Sequence, residues 1–173
     1  MKKMTEKVTS SLPAEAGVTK EPLEIDPKFS KQLATVLPSY LKIKDALVAS
    51  DKQAASSGSK NFSSYLEKVD MTLLKDHAHT KWMNNLTAMQ QSVKAIQASD
   101  DIEKQRASFS DLTDALYSSF KTFSVSGLKA YYQFCPMAFD RKGAYWISRD
   151  EQISNPYFGD QMLRCAETKE IIK

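Results

Sequence analysis

The chain first shows its order in the spacing of its apolar residues. From Asp26 onward, Phe29, Leu33, Val36, Leu37, Tyr40, Ile43 and Leu47 recur every three or four positions. That period predicts one apolar stripe on a helix. Pro38 lies within the stripe and predicts a kink or a restart there. A second stripe runs through Ala54, Ala55, Gly58, Phe62, Tyr65, Leu66 and Val69, with Asp51 placed to cap its start. Its small residues predict close approach by a neighbouring helix. A third stripe runs through Ala78, Trp82, Leu86, Met89, Val93 and Ile96, with Asp70 as the expected cap. The fourth comprises Ile102, Phe109, Leu112, Leu116, Phe120 and Phe123. Asp100 and Glu103, three apart, resemble a capping box at its start, and Gly127 is the expected stop. Four such helices with short connections predict an all-α fold, an up-and-down four-helix bundle over residues 27–127.

The pattern changes beyond residue 127. Tyr131, Tyr132, Phe134, Phe139, Tyr145, Trp146, Tyr157 and Phe158 crowd into a short stretch. Tyr131 to Phe134 reads as a short strand. Arg141-Lys142-Gly143 reads as a turn, and Tyr145 to Ile147 as a second strand, together a short β-hairpin. Asn155-Pro156 signals a further turn. So many rings predict an ordered segment, residues 128–173, packed on the bundle as part of one domain. Residues 1–26 carry Lys, Glu, Thr and Ser with no apolar period and read as a flexible lead-in.

Composition narrows the function. The 173 residues hold 24 Lys+Arg and 21 Asp+Glu, a balance too even to argue for nucleic acid. The 42% hydrophobic content fits an ordinary soluble domain. No stretch approaches the ~20 apolar residues of a transmembrane helix. No apolar run follows Lys2 and Lys3, so no signal peptide is expected within this sequence. Phosphate loops, His-Glu-x-x-His and Gly-x-Ser-x-Gly are lacking, and the chain reads as non-catalytic.

The chemistry sits with sulfur. Cys135-Pro136-Met137 and Met162-Leu163-Arg164-Cys165 place a thiol and a thioether two and three residues apart. Thiolates and thioethers are soft ligands that select Cu(I) or Ag(I) over hard cations. The same pair of cysteines can instead form a disulfide closing the loop between them, or pack as buried thiols. His77 and His79 are two apart, about 200° around a helix, so both cannot hold one ion. His77 falls on the polar side. His79 edges the apolar stripe with Met83 one turn on, and is the better ligand candidate.

The tail also carries a resemblance. The runs Tyr131-Tyr132-Gln133-Phe134-Cys135-Pro136-Met137-Ala138, Gly143-Ala144-Tyr145-Trp146 and Asn155-Pro156-Tyr157-Phe158-Gly159-Asp160-Gln161-Met162-Leu163-Arg164-Cys165 resemble a family of helical domains of unknown function. Tyr40-Leu41-x-Ile43-Lys44-Asp45-Ala46-Leu47 is similar to its first helix, and Phe109-x-x-Leu112 to its last. The likeness covers roughly residues 28–170. Such domains are common in Bacteroidetes-type bacteria, alone or attached to membrane-fusion subunits of Cus-type copper/silver and Co/Zn/Cd efflux systems. The resemblance implies a periplasmic or envelope setting, heavy-metal handling, and an efflux component or other envelope protein as partner. The resemblance supplies no ligand set; on donor chemistry the expected ligands of a metal-binding protein are Cys135, Met137, Met162 and Cys165, with His79 as a further candidate, for Cu(I) or Ag(I). The alternative is a non-catalytic interaction module in which the cysteines form a disulfide or core.

Overall fold

A computed structural model describes residues 23–173. The expected lead-in therefore lies almost wholly outside the described residues. Five helices follow: α1 (Pro27–Ala34), α2 (Leu37–Val48), α3 (Lys52–Leu66), α4 (Asp76–Ala98) and α5 (Ile102–Thr122). Three strands complete the chain: β1 (Ala130–Cys135), β2 (Ala144–Ser148) and β3 (Glu167–Ile172).

The helices pack as a bundle, α2 on α3, α3 on α4 and α4 on α5, with α5 returning to α2. Caps follow from short polar side chains. Asp26 accepts from the Lys28 amide, and Asp51 from the Ala54 amide. Each satisfies a backbone donor that the first helical turn leaves without a partner. At Pro38 the first stripe restarts. Pro38 sits in the opening turn of α2, where a missing N–H is tolerated, and α1 has ended at Ala34. Gly58 meets α2 closely, since a Cβ there would lie 3.2 Å from Ile43 Cγ1.

Two expected caps are shifted. Asp70 caps the short 3-10 turn Met71–Leu73 instead of α4, whose N-cap position is Lys75. At α5 the cap is Asp101, which accepts from the Glu103 and Lys104 amides. Glu103 pairs with Arg106 at 2.9 Å rather than reaching back to Asp100. The last helix also ends at Thr122, ahead of Gly127.

The all-α expectation is overturned by a three-stranded antiparallel sheet of order β2-β1-β3, so the fold is mixed α/β. The β1–β2 hairpin matches the expected one, with Tyr131 opposite Ser148 and Cys135 opposite Ala144. β3 is the addition. It pairs with β1 from Ala130–Ile172 to Phe134–Glu167, with an irregularity at Tyr132/Gln133. Its sequence Glu-Thr-Lys-Glu-Ile-Ile hid it: β3 is an edge strand, exposed over most of its length, and only Ile172 is buried. An edge strand of charged residues lacks the apolar alternation by which strands are read.

The core is continuous from bundle to sheet. Phe29 of α1 packs on Trp82 and Phe123 with ring centroids 5.1 and 5.0 Å away. Tyr40 stacks on Phe109 at 5.0 Å, and Phe109 meets Tyr157 at 6.0 Å. Tyr117 of α5 stacks on Tyr132 of β1 at 3.8 Å, and Tyr132 on Tyr145 of β2 at 4.5 Å. Directly opposed residues share a face of a sheet. Tyr132 lies opposite Ile147 and Tyr145 opposite Phe134, and every second residue of a strand shares a face, so Tyr132 and Tyr145 mark the face turned to α5. Gln133, Trp146 and Cys135 mark the other face. There the Gln133 amide donates to the Asp150 and Glu151 carbonyls, both at 3.2 Å, fastening the chain after β2 over the sheet.

Candidate functional site

The two segments that carry the sulfur residues adjoin one end of the sheet. Cys135 is the last residue of β1, and Phe134 is the rung opposite Glu167 at the start of β3. Cys135 is thus one residue past the final rung on β1, and Cys165 lies in the turn two residues before β3. Cys135 is fully buried, Cys165 is half-buried, and both are free thiols. Met137 and Met162 are each 36% exposed, among the most exposed large apolar residues described. Both thioethers are therefore reachable from solvent.

The Cys135-Pro136-Met137 half ends a strand and opens a tight connection to β2. Phe139, Asp140 and Arg141 all adopt left-handed backbone, with φ of 52°, 55° and 67°. L-residues adopt that region at a cost of roughly 1–2 kcal/mol each. The turn is closed by the Gly143 amide donating to Ala138 O at 2.9 Å. Gly143 is required there: φ is +80°, and a Cβ would lie 2.3 Å from Phe134 Cζ.

The Met162–Cys165 half is a reverse turn, closed by the Cys165 amide donating to Met162 O at 3.1 Å. A turn of this kind brings its first and last Cα atoms within about 7 Å. The turn is held from behind by Asn155, which is fully buried. The Asn155 amide donates to Leu163 O at 2.9 Å, and Nδ2 donates to Cys165 O at 3.1 Å. Asn155 Oδ1 accepts from the Tyr157 amide at 2.9 Å. The next carbonyl, Pro156 O, accepts from Arg106 Nε at 2.8 Å. Arg106 is itself buried and also donates to Leu47 O at 3.1 Å. The chain then crosses α2 at Gly159, whose Cβ would stand 2.9 Å from Val48 O.

His79 is placed elsewhere. It is half-buried on α4, which packs chiefly on α3 and α5, whereas the sheet packs on α5 and α2. Among the described residues no three His, Cys, Asp or Glu side chains form a cluster of the kind a metal ion needs, so His79 does not join Cys135 and Cys165. His77 is exposed, as its polar side implied.

Sequence reasoning passed over the residues that hold the sheet to the bundle. Ile147 N–H donates to the Tyr40 hydroxyl at 3.1 Å, and Tyr40 and Thr113 hydroxyls lie 2.7 Å apart. Thr113 spends its own proton on Phe109 O at 2.9 Å, so Tyr40 donates to Thr113. Burial pushes the Tyr40 phenol well above its ordinary value and keeps it a donor. One and two turns further along α5, Glu170 of β3 accepts from the Tyr117 hydroxyl and from Lys121. The Lys121 and Tyr117 hydrogen bonds hold its carboxyl below the usual value. The only signal for these contacts was a polar residue inside an apolar stripe, and Tyr40 itself counted as apolar.

No helix described is long and apolar enough to cross a membrane. No curated protein and no solved structure matches the chain. Residues 36–127, the helical bundle from the end of α1 to the linker before β1, match the family described as protein of unknown function, DUF3347, and the chain belongs to that family.

Proposed function

We propose that this protein binds a soft monovalent metal ion, Cu(I) or Ag(I), as cargo in envelope heavy-metal handling associated with cation efflux. Cys135, Met137, Met162 and Cys165 are the ligands, and an efflux component or other envelope protein is the partner. The observation that supports the reading is that the segment leaving β1 at Cys135 and the turn entering β3 after Cys165 adjoin the same end of the sheet, with both thiols free. The donor chemistry fits: two thiols and two thioethers select a soft cation. The exposure of Met137 and Met162 supports the reading too, since a delivered ion has to meet a reachable ligand first. Each thiol loses its proton on binding, so affinity rises with pH. Exchange of one thiolate at a time between donor and acceptor permits transfer without free ion.

The test is competition between reduced protein and a chromophoric Cu(I) chelator. The expected result is about one equivalent withheld from the chelator by the natural chain and none by Cys135→Ser/Cys165→Ser. Equal behaviour of the two proteins overturns the reading.

A second reading is favoured by one observation, the complete burial of Cys135. In it the tail is a non-catalytic interaction module and the cysteines are core. Loss of stability in Cys135→Ser with no change in Cu(I) retention selects it.

A further inference from the structure

The Met162–Cys165 turn has no regular secondary structure of its own, yet two of its carbonyls end on one side chain and its own backbone. Asn155 N–H donates to Leu163 O at 2.9 Å, and Asn155 Nδ2 donates to Cys165 O at 3.1 Å. The same residue accepts from Tyr157 N–H through Oδ1 and from Gly159 N–H through its carbonyl at 3.0 Å. A fully buried amide satisfied in this way is fixed in orientation. Its neighbour Pro156 is fastened to α5 by Arg106, so Asn155 is referenced to the bundle rather than to a loose loop.

We infer that Asn155 is the positioning residue of the Met162/Cys165 half of the sulfur site. It sets the backbone on which both donors stand, so the turn is ordered before an ion arrives. The inference rests on the sulfur-site reading above and adds a residue that carries no metal-ligating atom. Groups that orient metal ligands from behind typically contribute 10–100-fold in affinity. Ordering the turn in advance removes that cost from binding.

Two substitutions separate this role from turn-building alone. Asn155→Asp and Asn155→Ser each keep an oxygen for the Tyr157 amide, which is all that the local turn requires. Neither carries the Nδ2 group that reaches Cys165 O: an ionised carboxylate has no proton to give, and the serine hydroxyl stands one bond nearer its own backbone. Asn155→Ser is neutral, so it avoids burying a charge where the carboxylate of Asn155→Asp could unfold the chain. Two measurements are made on each: Cu(I) retention against the chelator, and amide hydrogen exchange of the metal-free protein. The expected result is a loss of Cu(I) affinity of about tenfold or more. Exchange speeds up over residues 162–165 while α5 keeps its protection. Affinity equal to the natural chain's overturns the inference, whatever the exchange shows. If the natural chain itself withholds no Cu(I), the sulfur-site reading falls. The exchange measurement then decides alone whether Asn155 orders the turn, and unchanged exchange over 162–165 overturns that as well.

Discussion

Tyr40 shows how much one hydroxyl can organise. It accepts from Ile147 on the free side of β2 and donates to Thr113 on α5, joining α2, α5 and the sheet within the core. Tyr40→Phe leaves a buried N–H without an acceptor, which costs about 1–3 kcal/mol. Thermal unfolding should shift down by several degrees with the helical circular dichroism unchanged. The ionisation adds a second expectation. Burial raises the phenols of Tyr40, Tyr132 and Tyr157 above 10.0, so they stay neutral in the folded chain at pH values where the unfolded chain ionises. Stability from this source is complete below about pH 10 and is lost as pH rises from there. Tyr40→Phe should flatten that alkaline loss, as read from urea midpoints between pH 9 and 11. Asp140 works in the opposite direction. It is exposed and held at φ 55°. Asp140→Gly relieves a left-handed L-residue, and an increase in stability of about 1 kcal/mol is expected, measured by chemical denaturation.

The elements differ in how plainly the sequence announced them. The stripes of α2 to α5 were legible because each buries one face against its neighbours, and burial writes the 3.6-residue period into the chain. The hairpin was legible through its rings and the Arg141-Lys142-Gly143 turn. β3 was not, because an edge strand held by backbone pairing and a Glu170 contact needs few apolar residues. The sulfur residues could be picked out by chemistry, but not the placing of their two segments at one end of the sheet, since strand register is a property of the pairing and not of either strand. Asn155 and Arg106 were invisible for a like reason: their partners are carbonyls, which every residue has. The match to the family stops at residue 127, yet the bundle lacks closure there. Tyr40, Phe109 and Tyr117 all lean on residues of the tail. A chain ending at residue 127 should therefore keep helical circular dichroism but bind a hydrophobic dye and melt without a sharp transition. A cooperative melt with no dye binding would make the bundle a domain by itself.

At the scale of the whole molecule, the metal proposal and the fold are one equilibrium. The two sulfur pairs belong to segments far apart in sequence: Cys135 ends β1, and Cys165 precedes β3. The unfolded chain does not hold them together, so an ion bound by both favours the folded state. That gain is RT ln(1 + [L]/Kd), about 2.7 kcal/mol when free ion is a hundredfold above Kd. For a domain of this length, each kcal/mol moves the melting temperature by roughly 2–4 °C. Buffered Cu(I) should therefore raise the melting temperature by several degrees, increasing with free ion. Ag(I) should do the same, because the selectivity lies in soft donors. Mg(II) should not, since hard cations seek oxygen ligands. In Cys135→Ser/Cys165→Ser the rise should vanish. A rise that survives in that variant would place the ion elsewhere on the protein. A natural chain whose melting temperature ignores Cu(I) would leave the sulfur residues to the core and the surface.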